Sequence, residues 1–152
     1  MKEPLASIAL KACLNIVFAL GILGIITLPW MLDFYFEYFY DAYFVLPGYR
    51  LFILIFLMVT AALVLLIVWE MIAMLRSIPS GPFILRNVRA LRRIGVVLLA
   101  LAALFFSKCV LYVTMLTMAC GFMFALCALF AFTLANLFRQ AVAFKEENDL
   151  TI

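Results

Sequence analysis

The sequence predicts an all-α polytopic membrane protein, with four transmembrane helices arranged as two antiparallel hairpins and both the N and C termini cytoplasmic. Three observations predict it. Apolar residues make up 70% of the 152 residues and charged residues 12%, against roughly 45–50% and about 25% in an ordinary soluble domain. The apolar residues fall in runs that meet the roughly 20 residues needed to cross about 30 Å of hydrocarbon. Lys and Arg gather on alternate connections between these runs, as the positive-inside rule requires. A soluble globule of this size would have only 11 basic and 8 acidic side chains for its whole surface, which would leave that surface mostly hydrocarbon.

The first span is Ala12 to Trp30 (12–30). It is followed by Met31, Leu32, Asp33 and Phe34, with no small-residue cleavage pattern, so it is a retained anchor rather than a secretory signal. Leu10-Lys11-Ala12-Cys13 has the look of a lipoprotein box but precedes the apolar run instead of following it, which argues against lipidation. The second span is Leu51 to Leu75 (51–75), interrupted only by Glu70. From Ile94 to Leu137 the chain is apolar for more than twice one crossing, with Lys108 the only formal charge. That length predicts two spans, 94–113 and 118–138, joined by a tight turn near Val113 to Met118.

These spans divide a single membrane domain, 1–152, into an outer aromatic loop (31–50), an inner basic connector (76–93) and a tail (139–152). The connector carries Arg76, Arg86, Arg89, Arg92 and Arg93 with no acid, and Lys2, Lys11, Arg139 and Lys145 fall on its side. The outer loop has Asp33, Glu37 and Asp41 against Arg50 alone. The connector side is therefore the cytoplasm.

Polar groups inside the spans are the first places to look for function, since a charge at the bilayer centre costs at least ~2.5 kcal/mol. Asn15, Glu70 and Asn136 share a depth near the inner side. One reading makes them a polar cluster for an ion, a proton or a partner; the other makes them interhelical glue, with Glu70 reaching the interface. Lys108 either extends its stem to the outer interface or pairs with a carboxylate of the outer loop. In that loop Tyr35, Tyr38, Tyr40 and Tyr43 alternate with Phe34, Phe36, Phe39 and Phe44, while the acids recur at helical spacing. The pattern suits an aromatic belt at headgroup level, and less well a receptor surface or a weak cation site.

In the connector, Ser80-Gly81-Pro82 marks a helix start. Ile84, Val88 and Leu91 then oppose Arg86, Arg89 and Arg93, a basic amphipathic turn suited to the anionic inner leaflet or to an acidic protein partner. Nothing accompanies these charges that would make a direct nucleic-acid module. Gly121, Ala125, Ala128, Ala131 and Ala135 form a small-residue stripe, a seam for close helix approach within the bundle or between subunits of a homo-oligomer.

Catalysis has little to build on. There is no His, and Cys13, Cys109, Cys120 and Cys127 form no C-x-x-C pair. No phosphate loop, nucleophile with a base, or carboxylate pair can be assembled. The sequence therefore predicts no enzyme, no catalytic residue, no cofactor and no metal.

The tail carries KEENDLTI after a fourth span ending in NLFRQAV, and PFILRNVRALRRIG leads into the third span. In these segments the chain resembles the bacterial membrane-protein family labelled domain of unknown function 2975. The resemblance implies a four-span protein of the bacterial inner membrane, without enzymatic activity, frequently encoded beside a Cro/C1-type helix-turn-helix regulator. It also implies that Glu147, Asn148, Asp149, Leu150, Thr151 and Ile152 form a recognised cytoplasmic element. With Arg86, Arg89 and Arg93 they would sense or sequester that regulator at the membrane, Leu150 and Ile152 anchoring and the acids steering. Alternatively the tail folds back onto Arg76 or Arg86 of its own chain. The competing function is a small transporter, channel subunit or immunity-type protein built on Glu70, Lys108 and the small-residue seam.

Overall fold

A computed structural model describes residues 5–39, 48–77 and 84–150. Within them the chain forms four α-helices: α1 (Leu5–Phe39), α2 (Tyr49–Ser77), α3 (Leu85–Leu111) and α4 (Met115–Leu150). All four are long and apolar enough to cross a membrane. Runs so rich in Val, Ile and Phe would lean toward strand in water. Hydrocarbon offers no partner for a backbone N–H or C=O, so each run must close its hydrogen bonds within itself, and the helix does so.

The helices are longer than the spans expected from composition. Nothing between Trp30 and Phe39 breaks a helix, so α1 continues through Asp33 and Glu37 into what the sequence marks as the outer loop. There the Phe34 and Tyr38 rings meet one turn apart, tilted by 33° with centroids at 4.4 Å. Tyr40, Asp41, Tyr43 and Phe44 lie outside the described residues, as do Ser80, Gly81 and Pro82. Arg86 to Arg93 belong to α3 itself, which starts after an extended Ile84 (φ −132°, ψ 148°). Pro29 sits inside α1, where it removes one N–H from the ladder and leaves the Ile25 carbonyl without its helical donor. Gly48 precedes α2 at φ 92°, a conformation open to glycine, and its carbonyl accepts from the Phe52 N–H at 3.0 Å. Between α3 and α4 only Tyr112–Thr114 intervene; the Tyr112 N–H bonds to the Lys108 carbonyl at 2.8 Å and closes α3.

Packing is serial. α1 lies on α2, α2 on α3 and α3 on α4, and among the described residues no other pair of helices comes close. The expected bundle is thus an open array with α1 and α4 at its edges. Residue numbers rise along one helix as they fall along its neighbour: Phe18 meets Trp69 and Phe36 meets Tyr49, Phe56 meets Phe105, and Phe105 meets Phe124.

The α3–α4 seam is the tightest. Ala128 and Ala135 are fully buried, as is Leu101 opposite them, and Ala131 and Gly121 are also buried. The small-residue stripe therefore lies largely inside the array, against α3. Two rings complete the fit. A methyl group added at Gly95 would stand 2.8 Å from the Phe132 ring, and one at Gly121 would stand 3.1 Å from Phe106. Between α1 and α2, Gly21 takes the Leu65 side chain in the same way, beside a small cluster of Leu14, Val68, Ile72 and Leu75. The most apolar stretch of α1 buries nothing, and Ile16, Leu20, Leu23 and Trp30 are exposed.

A Gly95→Ala substitution is expected to lower the stability of the detergent-solubilised protein by about 1–3 kcal/mol through overpacking. Adding Phe132→Leu should recover part of that loss. Thermal unfolding of both variants checks it, and a strictly additive double variant would show that the ring and the glycine do not meet.

Candidate functional site

Polar contacts between helices gather at the two ends of the array. At the end holding Ser77 and Leu85, two contacts tie α2 to α3. The Ser77 hydroxyl, 2.6 Å from the Met74 carbonyl, donates to Asn87 Oδ1 at 2.7 Å, and both side chains are buried. One helical turn and more deeper into α3, Arg93 meets Glu70 side-on: Nε lies 2.7 Å from Oε1 and Nη2 2.9 Å from Oε2. This is the two-point guanidinium–carboxylate geometry that gives strong, directional pairing. The Glu70 side chain is only 17% exposed, whereas Arg93 is 60% exposed. Glu70 is therefore the member that needs the pair.

At the opposite end, Arg50 at the start of α2 pairs with Asp33 of α1. A groove of about 410 Å³ lies beside this pair, lined by Pro29, Leu32, Gly48 and Leu51 among others. Lys108, near the end of α3, donates to Thr117 Oγ1 of α4 at 3.1 Å. Its ammonium also stands 5.3 Å from the centre of the Phe56 ring on α2, within range of a cation–π attraction. One lysine thus joins three helices. Among the described residues it meets no carboxylate, so of its two sequence readings the outer-loop pairing has no counterpart there.

The residues expected to cluster do not meet. Asn15 donates to the Lys11 carbonyl of its own helix at 2.9 Å and is exposed. Asn136 lines a shallow groove on α4 with Arg139, Gln140 and Ala143, about 380 Å³ in volume. With α1 and α4 at opposite edges of the array, Asn15 and Asn136 are held apart, and Glu70 on α2 is paired with Arg93 of α3. The hydroxyls along the spans are satisfied locally: Thr27, Thr60, Ser107 and Thr133 each bond a carbonyl one turn back. No buried side-chain polar atom among the described residues lacks a partner.

The basic turn is divided in two by α3. Arg93 faces Glu70, while Arg89 joins Arg92 and, across the seam, Arg139 of α4. These three line a groove of about 250 Å³ whose other walls are Leu85 and Val88. Arg86 is exposed. Neither Arg86 nor Arg76 makes an ion pair among the described residues, so the fold-back of the tail onto them is not seen there. Instead α4 continues as helix to Leu150, with Lys145, Glu146, Glu147 and Asn148 exposed; Thr151 and Ile152 lie outside the described residues. The four cysteines are free thiols. Among the described residues no group of acids and cysteines is placed to hold a metal ion.

Sequence reasoning singled out Glu70, Lys108 and the arginines but passed over their partners. Ser77, Asn87 and Thr117 look like ordinary helix-end polar residues, and Arg139 like a simple boundary charge. Only the rotation of each helix about its axis brings them into contact.

These features define an α-helical, multi-pass membrane protein whose polar contacts sit at the ends of its spans. The chain belongs to the family described as Protein of unknown function (DUF2975), whose model matches residues 32–152. No curated protein and no solved structure matches it.

Asn87→Ala, which removes the buried link from Ser77 to α3 while leaving that hydroxyl the Met74 carbonyl, is expected to cost about 1 kcal/mol. Arg93→Gln, which leaves the largely buried Glu70 carboxylate without its partner, should cost about 1–3 kcal/mol. The double variant Glu70→Gln/Arg93→Gln should lose less than the two single losses added together. Thermal melts in detergent give all of these numbers, and full additivity at Glu70 and Arg93 would refute the pairing.

Proposed function

We propose that this chain is a non-enzymatic protein of the bacterial cell (inner) membrane, its four spans forming two antiparallel hairpins with both termini in the cytoplasm. It serves there as a sensor or sequestering partner for a cytoplasmic helix-turn-helix transcription regulator. The observation that carries this reading is the far end of α4. That helix has 36 residues, or roughly 54 Å at the usual rise, well beyond about 30 Å of hydrocarbon. Its surplus length presents Lys145, Glu146, Glu147 and Asn148 to water as one ordered helix. An ordered display loses less conformational entropy on binding than a frayed tail.

Orientation is supported by charge. Arg76, Arg86, Arg89, Arg92, Arg93 and Arg139 stand at the end from which the α4 tail emerges, while Asp33 and Glu37 stand at the other. That asymmetry supports a cytoplasmic side for the arginines. The family resemblance supplies the class of partner, a regulator encoded nearby. Glu70 and Lys108 would have to serve as mobile charges in a transporter, and their engagement with Arg93, Thr117 and Phe56 favours tethering over transport.

Truncating the chain after Phe144 is expected to leave membrane insertion intact. The neighbouring helix-turn-helix protein should then move from the membrane fraction to the soluble fraction. Unchanged retention of that regulator would defeat the proposal. Reporter fusions at Lys2 and Ile152 should both report the cytoplasm, and opposite faces would defeat the topology.

A further inference from the structure

We infer that the groove between α3 and α4 at the arginine-rich end is a binding site for the phosphodiester headgroup of an anionic membrane phospholipid. The groove is built from two helices, with Arg89 and Arg92 on α3, Arg139 on α4, and Leu85 and Val88 as apolar walls. Three guanidinium groups around one hollow repel one another unless an anion sits between them. Among the described residues no protein acid does so. Glu70 is committed to Arg93.

α3 adds to the positive field at this point. Its first turn contains no acid and its cap has no side-chain hydrogen bond, so the positive end of the helix dipole is not offset there. Guanidinium forks match phosphate oxygens two at a time, which an ammonium cannot do.

The walls and the volume select the source of that phosphate. At about 250 Å³ the groove lies below the roughly 300–1,000 Å³ of pockets that enclose a whole small molecule, and it suits a headgroup whose remainder lies outside. Leu85 and Val88 continue into the apolar flank of α3, where Val96 and Leu99 are exposed. Acyl chains would lie along that flank with the phosphate held at the arginines. A soluble phosphate compound has no use for such a flank, and among the described residues no aromatic ring lines the groove to stack a base. Basic pockets between spans on the cytoplasmic side are the usual seats of anionic headgroups. The inference rests on the proposed orientation only in deciding which leaflet supplies the lipid.

The test uses the full chain in an uncharged detergent, offered phosphatidylglycerol, cardiolipin and phosphatidylcholine together, with bound lipid read by native mass spectrometry. The anionic lipids are expected to be retained over phosphatidylcholine by at least about fivefold. Arg92→Gln/Arg139→Gln should weaken that retention by roughly tenfold or more, whereas Lys11→Gln/Arg76→Gln, which removes the same charge outside the groove, should change it by less than about twofold. Should the first double variant fail to fold, Arg89→Gln alone is expected to weaken retention about threefold or more. Equal loss in the groove and control variants would overturn the site in favour of diffuse charge. Displacement of lipid by millimolar inorganic phosphate would overturn the lipid source, and displacement by a Glu-rich peptide would reassign the groove to a protein partner. In detergent both ends of the array meet the lipid and no regulator is present. The chain truncated after Phe144 keeps all five lining residues. A failed tether or a reversed topology therefore leaves this measurement intact.

Discussion

Lipid chains are as apolar as leucine, so helices in a bilayer gain nothing by hiding hydrocarbon from their surroundings; what holds them together must be closeness of fit and the occasional polar pair. The rest of this structure follows from that constraint. The α3–α4 seam meets it through size, with Ala128, Ala131 and Ala135 letting the backbones approach while Phe132 and Phe106 settle over Gly95 and Gly121. The α2–α3 seam meets it differently. It relies on Ser77 with Asn87 and Glu70 with Arg93 at one end and on a ladder of rings, Tyr49 and Phe52 against Tyr112 and Phe56 against Phe105, at the other.

Polar groups are placed to suit the same economy. Hydroxyls deep in the spans bond their own helix and specify nothing about neighbours, whereas the groups that link helices stand near the ends. There an ionised side chain is less costly than at mid-membrane, and a long stem such as that of Lys108 can reach both a hydroxyl and an aromatic face. The consequence for function is a middle occupied by hydrocarbon and two decorated rims. Of these the arginine-rich rim carries more chemistry: an engaged acid, three arginines around a hollow and an ordered charged helix beyond them.

Much of the fold is legible in the sequence because its strongest signals are one-dimensional. Apolar runs longer than a bilayer, arginines on alternate connections, and Gly121 with the alanines after it at helical spacing all show without a partner in view. Helix ends are less legible. Nothing in Met31 to Phe39 opposes helix, so the change from lipid to water that composition records is not a change of secondary structure. Least legible are the contacts. Asn15, Glu70 and Asn136 share a depth, and depth is all that hydropathy encodes; the serial order of helices, which separates them, is encoded in faces. Likewise Arg89 and Arg93 fall together on a helical wheel drawn for solvent, yet a single acid on α2 draws Arg93 away and leaves Arg92 and Arg139 to complete the groove.

One edge of the array behaves unlike the other. α1 touches a single neighbour, along Phe18, Gly21 and Phe36, and is bathed on its remaining sides. A long helix in a bilayer of changing thickness accommodates by tilting, at a modest cost for each ångström of mismatch. α3 and α4, locked ring over glycine, can lean only as a pair, but α1 can pivot on α2 by itself. A change in the thickness of the surrounding bilayer is therefore taken up at least cost by that outermost helix, whose hold on α2 is Phe18 on Trp69, Leu65 over Gly21 and the ion pair of Asp33 with Arg50.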